Sequence, residues 1–285
     1  MYLMVFCSSV PYHITAVFIP KINNNPLTSG SIGVGISVEP RLKLCVGSEI
    51  AYNENKEAEE IPITAKNVFN RFNIDEKYIL NMPLPIKIGY ASSASSTIAT
   101  ELISFLYGKT SYMKALQDAH NIEVENSTGL GDVLAISCGI GIVLRKKEGA
   151  PGIGEVDCIS FPKDVSIVTV EFGAMNTKDL LISYDKTIQT ESQKVLDKIL
   201  EDFSFETFSY EIKRFTDNVG KIKLLNKGDE VIKTPGLISY YMKKMMVVLL
   251  IESNKIEDAL KYLRDKNLNL RILKPSSHGP EAWIT

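Results

Sequence analysis

Strand-like and helix-like patterns of apolar residues divide the chain into two halves of different texture. Short β-branched segments bounded by turn-forming residues predict strands, and apolar positions three or four residues apart predict amphipathic helices. Strands are predicted at the N-terminal apolar run and at 42–46, 143–145, 167–172 and 268–273. Helices are predicted at 95–107, 111–124, 190–203 and 254–266. The longer, more charged helices all lie in the second half.

The change of texture predicts two domains. It falls across the glycine-dense stretch 149–154, GAPGIG, which is typical of a turn or linker. We place the boundary near residue 160, with an N-terminal domain over 1–160 and a C-terminal domain over 161–285. The last strand is expected to return toward the site.

Composition limits the kinds of partner and substrate. Lys and Arg total 32 against 34 for Asp and Glu, a net charge of −2, so bulk charge favours neither nucleic acid nor an anionic membrane. An anionic substrate therefore has to be held by local groups. No apolar run approaches the ~20 residues of a membrane span. Four scattered cysteines, Cys7, Cys45, Cys138 and Cys158, are expected to be buried free thiols in a reducing cytosol. We therefore expect a soluble cytoplasmic protein.

A segment rich in small residues, 84–96, precedes a predicted helix. Small residues let a backbone approach a ligand closely, and the free N–H groups at a helix N-terminus bind phosphate oxygens. Ser92, Ser93, Ser95 and Ser96 add hydroxyls that can cap the helix or reach a phosphate-bound cation. Taken alone, such a helix start is usually only an N-cap. The sequence contains no P-loop motif that would offer a different phosphate site.

A second segment, AHNIEVENSTGLGDV at 119–133, carries carboxylates on a helix into a glycine-hinged loop. We expect this loop to present Asp132 ahead of an apolar strand. Phosphoryl transfer needs carboxylates near a divalent cation and near the acceptor hydroxyl. The alternative is a turn residue, because Asp and Gly dominate turns.

Several motifs together resemble the archaeal pantoate kinases, a family of the GHMP kinase superfamily. PIKIGYASSAS at 85–95 resembles the PxxxGLGSSAS phosphate-binding loop of the superfamily, and 119–133 resembles the pantoate kinase signature. VPYHITAVF at 10–18 resembles PGHITGFF of the same family. Further similar stretches bring the match to residues 5 to about 182, in order.

The resemblance implies an α+β, two-domain GHMP kinase fold, with an N-terminal ribosomal S5 domain 2-like part and a C-terminal ferredoxin-like α/β sandwich. It implies ATP and Mg²⁺, pantoate as acceptor, and Asp132 as the catalytic residue. Ser93 and Glu123 match the metal-binding positions. The ATP-binding loop is matched by Pro85, Gly89, Ala91, Ser92, Ser93, Ala94 and Ser95. The pantoate-binding positions are matched by Ser31, His120, Arg145 and Thr177. A homodimer is compatible with this interpretation.

Departures from the family pattern leave alternatives open. Tyr90, Ala91, Tyr12 and Ala16 replace the family's Leu or Gly. If position 91 needs a positive φ, its Cβ costs ~1–2 kcal/mol. The glycine-rich C-terminal motif is only loosely echoed at 274–280. The alternatives are a GHMP kinase for another hydroxy acid, of homoserine, shikimate or mevalonate type, and a catalytically impaired paralogue that binds a ligand. His13 is a further candidate for contact with substrate or phosphate.

Overall fold

The computed structural model describes residues 4–47, 63–73, 77–178, 185–220, 222 and 225–285. Its strands are β1 (Phe6–Lys21), β2 (Gly30–Val46), β3 (Tyr78–Asn81), β4 (Ile142–Lys147), β5 (Glu155–Ile159), β6 (Val165–Glu171), β7 (Leu237–Lys243), β8 (Met246–Glu252), β9 (Asn269–Pro275) and β10 (Glu281–Ile284). Its helices are α1 (Ile63–Phe72), α2 (Ser92–Leu106), α3 (Tyr112–Glu125), α4 (Asp132–Cys138), α5 (Lys186–Glu201), α6 (Phe205–Val219), α7 (Gly228–Val231) and α8 (Ile256–Asp265).

The strands form one continuous, antiparallel path in the order β10-β1-β2-β9-β6-β8-β7. The long pair β1–β2 dominates its first part, and β3 and the β4–β5 ladder also attach to β2. A short pairing of β2 with β9, with Val38 opposite Pro275, joins this part to the ladder of β6, β8 and β7. The last predicted strand, β9, lies between the two groups of strands, and its return toward the site stays a prediction.

Helix α2 is the central helix of the first group. Almost all of its residues from Ser92 to Ser104 are buried, because it lies between β1 and the flanking helices α1 and α3. Its apolar side chains, among them Ile98 and Leu102, join a large core with β1 and β2. A second, smaller apolar cluster lies between α8 and the outer face of β6, β8 and β7. Helix α2, which follows the candidate phosphate loop, is therefore held by packing along its length.

The mixed α/β architecture confirms most predicted elements, with two differences near the site. Helix α2 begins at Ser92 rather than Ser95. The expectation that Asp132 precedes an apolar strand is wrong, because 132–138 form a helix that Gly139 ends at φ 63°. The apolar residues after Asp132 pack as a helix of about two turns, which periodicity alone does not distinguish from a buried strand. The division into domains at residue 160 stays a prediction. Among the described helices, none is long and apolar enough to cross a membrane.

The expectation of free thiols is wrong. Cys7 and Cys45 are direct cross-strand partners on β1 and β2, with Cα atoms 4.1 Å apart, and form a disulfide. Cys138 and Cys158 form a second disulfide that ties the end of α4 to β5. The partners are separated by 38 and 20 residues, so no local spacing in the sequence indicated either pair. The cysteines therefore do not indicate a reducing compartment.

Candidate active site

A cleft of about 560 Å³ opens between the N-terminus of α2, the loop before α4, the end of β1 and the tip of the β7–β8 hairpin. Its charged lining is mostly cationic, although the chain as a whole has a net charge of −2. The charged side chains that line it are Lys87, Asp132, Arg145, Lys178, Lys243 and Lys244. Local groups thus create the anion-binding character that overall composition does not provide.

The N-terminus of α2 faces this cleft with free backbone donors. Ala91 precedes the helix at φ 58°, the left-handed conformation that glycine adopts without strain. The Ser92 hydroxyl donates to the Pro85 carbonyl at 2.9 Å, and the Ser95 hydroxyl donates to the Pro11 carbonyl at 2.9 Å. These two hydroxyls fix the loop. The first N–H groups of the helix have no partner within it and are available to phosphate oxygens.

Tyr90 ties the same loop to the second group of strands. Its hydroxyl donates to Glu171 at 2.6 Å and lies 2.7 Å from the Thr169 hydroxyl, both on β6. Burial, reinforced by the carboxylate of Glu171, raises the pKa of the tyrosine well above its usual value. Replacement of the family's leucine by Tyr90 therefore adds a polar anchor beneath the loop.

Glu123 is a buried carboxylate surrounded by hydroxyl groups. Ser93 donates to its Oε1 at 2.7 Å and Thr97 donates at 3.1 Å. Burial raises the pKa of Glu123 to about 7, because desolvation outweighs the stabilising hydrogen bonds from Ser93, Thr128 and Thr97. No ion pair offsets the desolvation of this carboxylate among the described residues.

The donor set around Glu123 fits a divalent cation held jointly with phosphate oxygens. Among the described residues there is no group of three acidic, His or Cys side chains that would hold a metal alone. A carboxylate and a hydroxyl are the hard oxygen ligands that Mg²⁺ prefers beside phosphates and water. Gly129 leaves open the space between the two carboxylates, because a Cβ there would lie 3.2 Å from Glu123 Oε2 and 3.5 Å from Asp132 Oδ2.

Asp132, the first residue of α4, is held by two donors from β1. His13 Nδ1 lies 3.0 Å from Asp132 Oδ1, and the Thr15 hydroxyl donates to the same oxygen at 3.2 Å. Burial lowers the pKa of His13 to about 4, so its ring is neutral at pH 7 and carries its proton on Nδ1. Burial opposes ionisation of Asp132, but the His13 hydrogen bond and the charges of Lys243 and Arg145 hold its pKa below the usual range. Asp132 is therefore a fixed, ionised carboxylate.

Arg145 on β4 lines the cleft near Asp132. It is only 1% exposed, and its Nε–H donates to the Ser31 carbonyl at 3.2 Å. Its Nη1 has no hydrogen-bond partner among the described residues. Burial lowers the pKa of Arg145 to about 10, which keeps the guanidinium charged at pH 7. A buried, charged donor without a partner in a cleft indicates an anionic ligand.

The predicted site residues do not all reach the cleft. Gly89, Ala91, Ser92, Ser93, Asp132, Ser31, Arg145 and Thr177 line it. Pro85 and Ser95 do not line it but take part in the hydrogen bonds that fix the loop. Ala94 and Glu123 do not line it either and instead border a small void that also borders Asp132. His120 is buried beneath the acceptor side, with its Nε2 2.9 Å from the Ser29 carbonyl. Its contact with substrate stays a prediction, and the visible contact holds the segment that leads into β2. His13 likewise lies behind Asp132 rather than in the cleft.

Sequence reasoning missed three side chains that the fold brings to the site. Thr15 on β1 donates to Asp132, and Lys243 and Lys244 enter from the β7–β8 hairpin. Lys244 Nζ lies 3.1 Å from the Thr177 hydroxyl, which itself donates to a backbone carbonyl of the loop before α4. A pair of lysines between two apolar strand segments, YYMKKMMVV, was the available signal, since it marks an exposed or ligand-facing hairpin tip.

Comparison with solved structures defines the class of fold. The mevalonate kinase of Methanococcus jannaschii superposes with a TM-score of 0.66 over 95% of this chain and 98% of its own, at 15% identity. A phosphotransferase related to the CoA biosynthesis pathway superposes with a TM-score of 0.78 over 98% of both chains, at 25% identity. The chain has the GHMP kinase fold, as the sequence motifs implied.

Sequence comparison narrows the resemblance further. The pantoate kinase of Thermococcus kodakarensis is 28% identical over an alignment of 304 positions, which covers 99% of this chain and all of that protein. The resemblance to the archaeal pantoate kinases is thereby confirmed over the full length, beyond the residues whose motifs first indicated it. No family model matches the chain.

Proposed function

We propose that the protein is an ATP-dependent kinase that phosphorylates (R)-pantoate to 4-phosphopantoate in coenzyme A biosynthesis. The observation that carries the proposal is the unpartnered Nη1 of buried Arg145, which lines the same cleft as Ser31, Asp132 and the N-terminus of α2. This arrangement provides one subsite for a carboxylate and another for a triphosphate, with an ionised carboxylate between them. The full-length similarity to a pantoate kinase supports the same choice of acceptor.

At the donor subsite, we assign the triphosphate to the loop 85–95 and to the free N–H groups of the first turn of α2. The helix dipole and these donors favour the negative oxygens. Mg²⁺ would be held by Glu123 and Ser93 together with phosphate oxygens, and it supplies neutralisation of the phosphate charge. Gly129 keeps the space beside both carboxylates open for these ligands.

At the acceptor subsite, the pantoate carboxylate pairs with Arg145, whose planar fork binds both oxygens. Ser31 and Thr177 contact the rest of the acceptor, and His120 holds the segment before Ser31. The primary hydroxyl of pantoate donates to Asp132 Oδ2, because His13 and Thr15 already occupy Oδ1.

The transfer is a direct in-line displacement. The acceptor hydroxyl oxygen bonds to the γ-phosphorus, the bond from that phosphorus to the β–γ bridging oxygen breaks, and ADP leaves. The low pKa of Asp132 makes it a weak base, so its main task is to orient the hydroxyl and to receive the proton late, before release to solvent.

A substrate panel in a coupled ADP-release assay tests the function. We expect strong preference for pantoate over homoserine, because the only carboxylate that lines the described cleft, Asp132, is assigned to the reacting hydroxyl and leaves none for the ammonium group of homoserine. Shikimate and mevalonate also carry a carboxylate, so the expected preference for pantoate over these two rests on the full-length similarity to a pantoate kinase. Turnover of homoserine alone would reject pantoate as the acceptor. Binding of pantoate with no ATP binding by calorimetry and no turnover would support a ligand-binding paralogue instead.

A further inference from the structure

The tip of the β7–β8 hairpin brings a cation to the junction of the two subsites. Strands β7 and β8 are joined by the two-residue turn Lys244-Met245, with Lys243 paired opposite Met246. Lys244 has φ 53° in this turn, a conformation that glycine would adopt without strain. Lys244 therefore occupies a turn position that favours glycine, and Lys243 precedes it as the last residue of β7.

Several contacts hold this tip in place. The Tyr241 hydroxyl donates to the Ile14 carbonyl of β1 at 3.0 Å, next to the residues that hold Asp132. The Phe172 N–H donates to the Met245 carbonyl at 2.8 Å. At Gly89 of the phosphate loop, a Cβ would lie only 3.0 Å from Lys243 Cγ. The side chain of Lys243 thus leaves a rigid backbone directly against the phosphate loop.

From the phosphate loop, the Lys243 side chain extends toward the acceptor side. Its Nζ lies 4.9 Å from the ring centre of Phe18, at the end of β1 opposite Gly33. Its ammonium forms no ion pair with any described carboxylate, while the charges that act on it are those of Asp132, Lys244 and Arg145. The side chain therefore crosses from the donor subsite to the acceptor subsite past Asp132.

We propose that Lys243 contacts the phosphoryl group during transfer and neutralises the charge that develops on its equatorial oxygens. The inference rests on the proposed phosphotransfer function and adds a catalytic residue to it. Lys244 acts differently, because its ammonium is already bonded to Thr177 and faces Glu123 as well as Asp132. Preorganised cations at a transferring phosphoryl group contribute mainly to the rate of the chemical step.

The test compares Lys243→Gln and Lys243→Arg with Lys261→Gln, an exposed lysine of α8 outside the cleft. We expect Lys243→Gln to lower kcat by about 10²- to 10³-fold and to change the KM for pantoate and the Kd for ATP by less than about fivefold. Lys243→Arg should restore part of kcat, and Lys261→Gln should match the wild type. Unchanged kcat in Lys243→Gln would overturn the proposal, and so would a defect confined to the KM for pantoate.

A second arm separates failure of this proposal from failure of the proposed function. Binding of ADP with aluminium fluoride and Mg²⁺, a mimic of the transferring phosphoryl group, is measured by calorimetry without any acceptor turnover. We expect Lys243→Gln to weaken binding of the mimic much more than binding of ATP. Equal losses for both would overturn the role of Lys243, even if the wild type phosphorylates pantoate. A selective loss would uphold it, even if pantoate proves to be the wrong acceptor.

Discussion

Two glycines of the loop before α4 face different subsites, and one of them gives the sharpest prediction. A Cβ at Gly131 would lie 2.3 Å from the Ser31 hydroxyl oxygen and 2.7 Å from Arg145 Nε. The serine hydroxyl can rotate away, but the guanidinium is buried and must withdraw by roughly half an ångström or more to reach normal contact. Gly131→Ala should therefore displace Arg145 from the acceptor carboxylate.

The expected magnitude follows from the contact that is lost. A charge-assisted hydrogen bond contributes about 1.5–3 kcal/mol, which corresponds to about a ten- to 150-fold rise in the KM for pantoate. The KM for ATP should change little, because the atoms nearest to a Cβ at Gly131 belong to Ser31 and Arg145. Steady-state kinetics with each substrate varied in turn measures both, and thermal unfolding checks that the variant is folded.

A double-variant cycle with Arg145→Ala tests whether Gly131→Ala acts through Arg145. If Gly131→Ala acts through Arg145, the double variant should be little worse for pantoate than Arg145→Ala alone, because the same contact is lost only once. Additive effects of the two substitutions would refute this mechanism. A KM for pantoate that Gly131→Ala leaves unchanged would also refute the position assigned to the acceptor carboxylate.

Four further predictions address other parts of the account. Asp132→Asn should lower kcat by at least about 10³-fold and leave the Kd for ATP, measured by calorimetry, within a few fold. Gly129→Ala should weaken ATP binding in the presence of Mg²⁺ more than in its absence, since its Cβ enters the space between the carboxylates. In a pH profile, kcat/KM for ATP should fall as pH rises through about 8, because burial lowers the pKa of Lys243 to about 8 in the protein without bound ligand and the deprotonated amine loses its charge; Lys243→Arg should move this limb to higher pH. Reduction of Cys7–Cys45, which closes a separation of 38 residues, should cost about 3–4 kcal/mol of unfolding free energy in denaturant titrations.

Contiguous motifs account for the part of the site that the sequence predicts. Ser93 lies in the first turn of α2, Glu123 lies near the end of α3, and Asp132 begins α4 after the loop that follows α3. Local rules of helix N-termini and glycine-hinged turns therefore apply to them. Their mutual placement adds only one long-range step, the packing of α2 against α3. The structure brings these three residues close together, while their roles stay predictions.

The remaining groups depend on contacts between distant parts of the chain. His13 and Asp132 are 119 residues apart, and their bond exists only because β1 passes beneath the start of α4. Lys243 reaches the site because β7 packs against β1 through Tyr241. The cysteine pairing required the register of β1 and β2, which no local spacing shows. Hydrophobic periodicity predicts individual helices and strands, whereas these long-range contacts depend on how the helices and strands are arranged in the fold.

The measurement that tests the central claim most directly is phosphorus NMR of the product formed from ATP, Mg²⁺ and pantoate. With the carboxylate of pantoate at Arg145 and its primary hydroxyl at Asp132, we expect a new phosphomonoester signal that the two C4 protons split into a triplet. Its appearance should depend on Asp132. A doublet would place the phosphoryl group on the secondary hydroxyl, and the absence of any phosphomonoester would contradict phosphorylation of pantoate altogether.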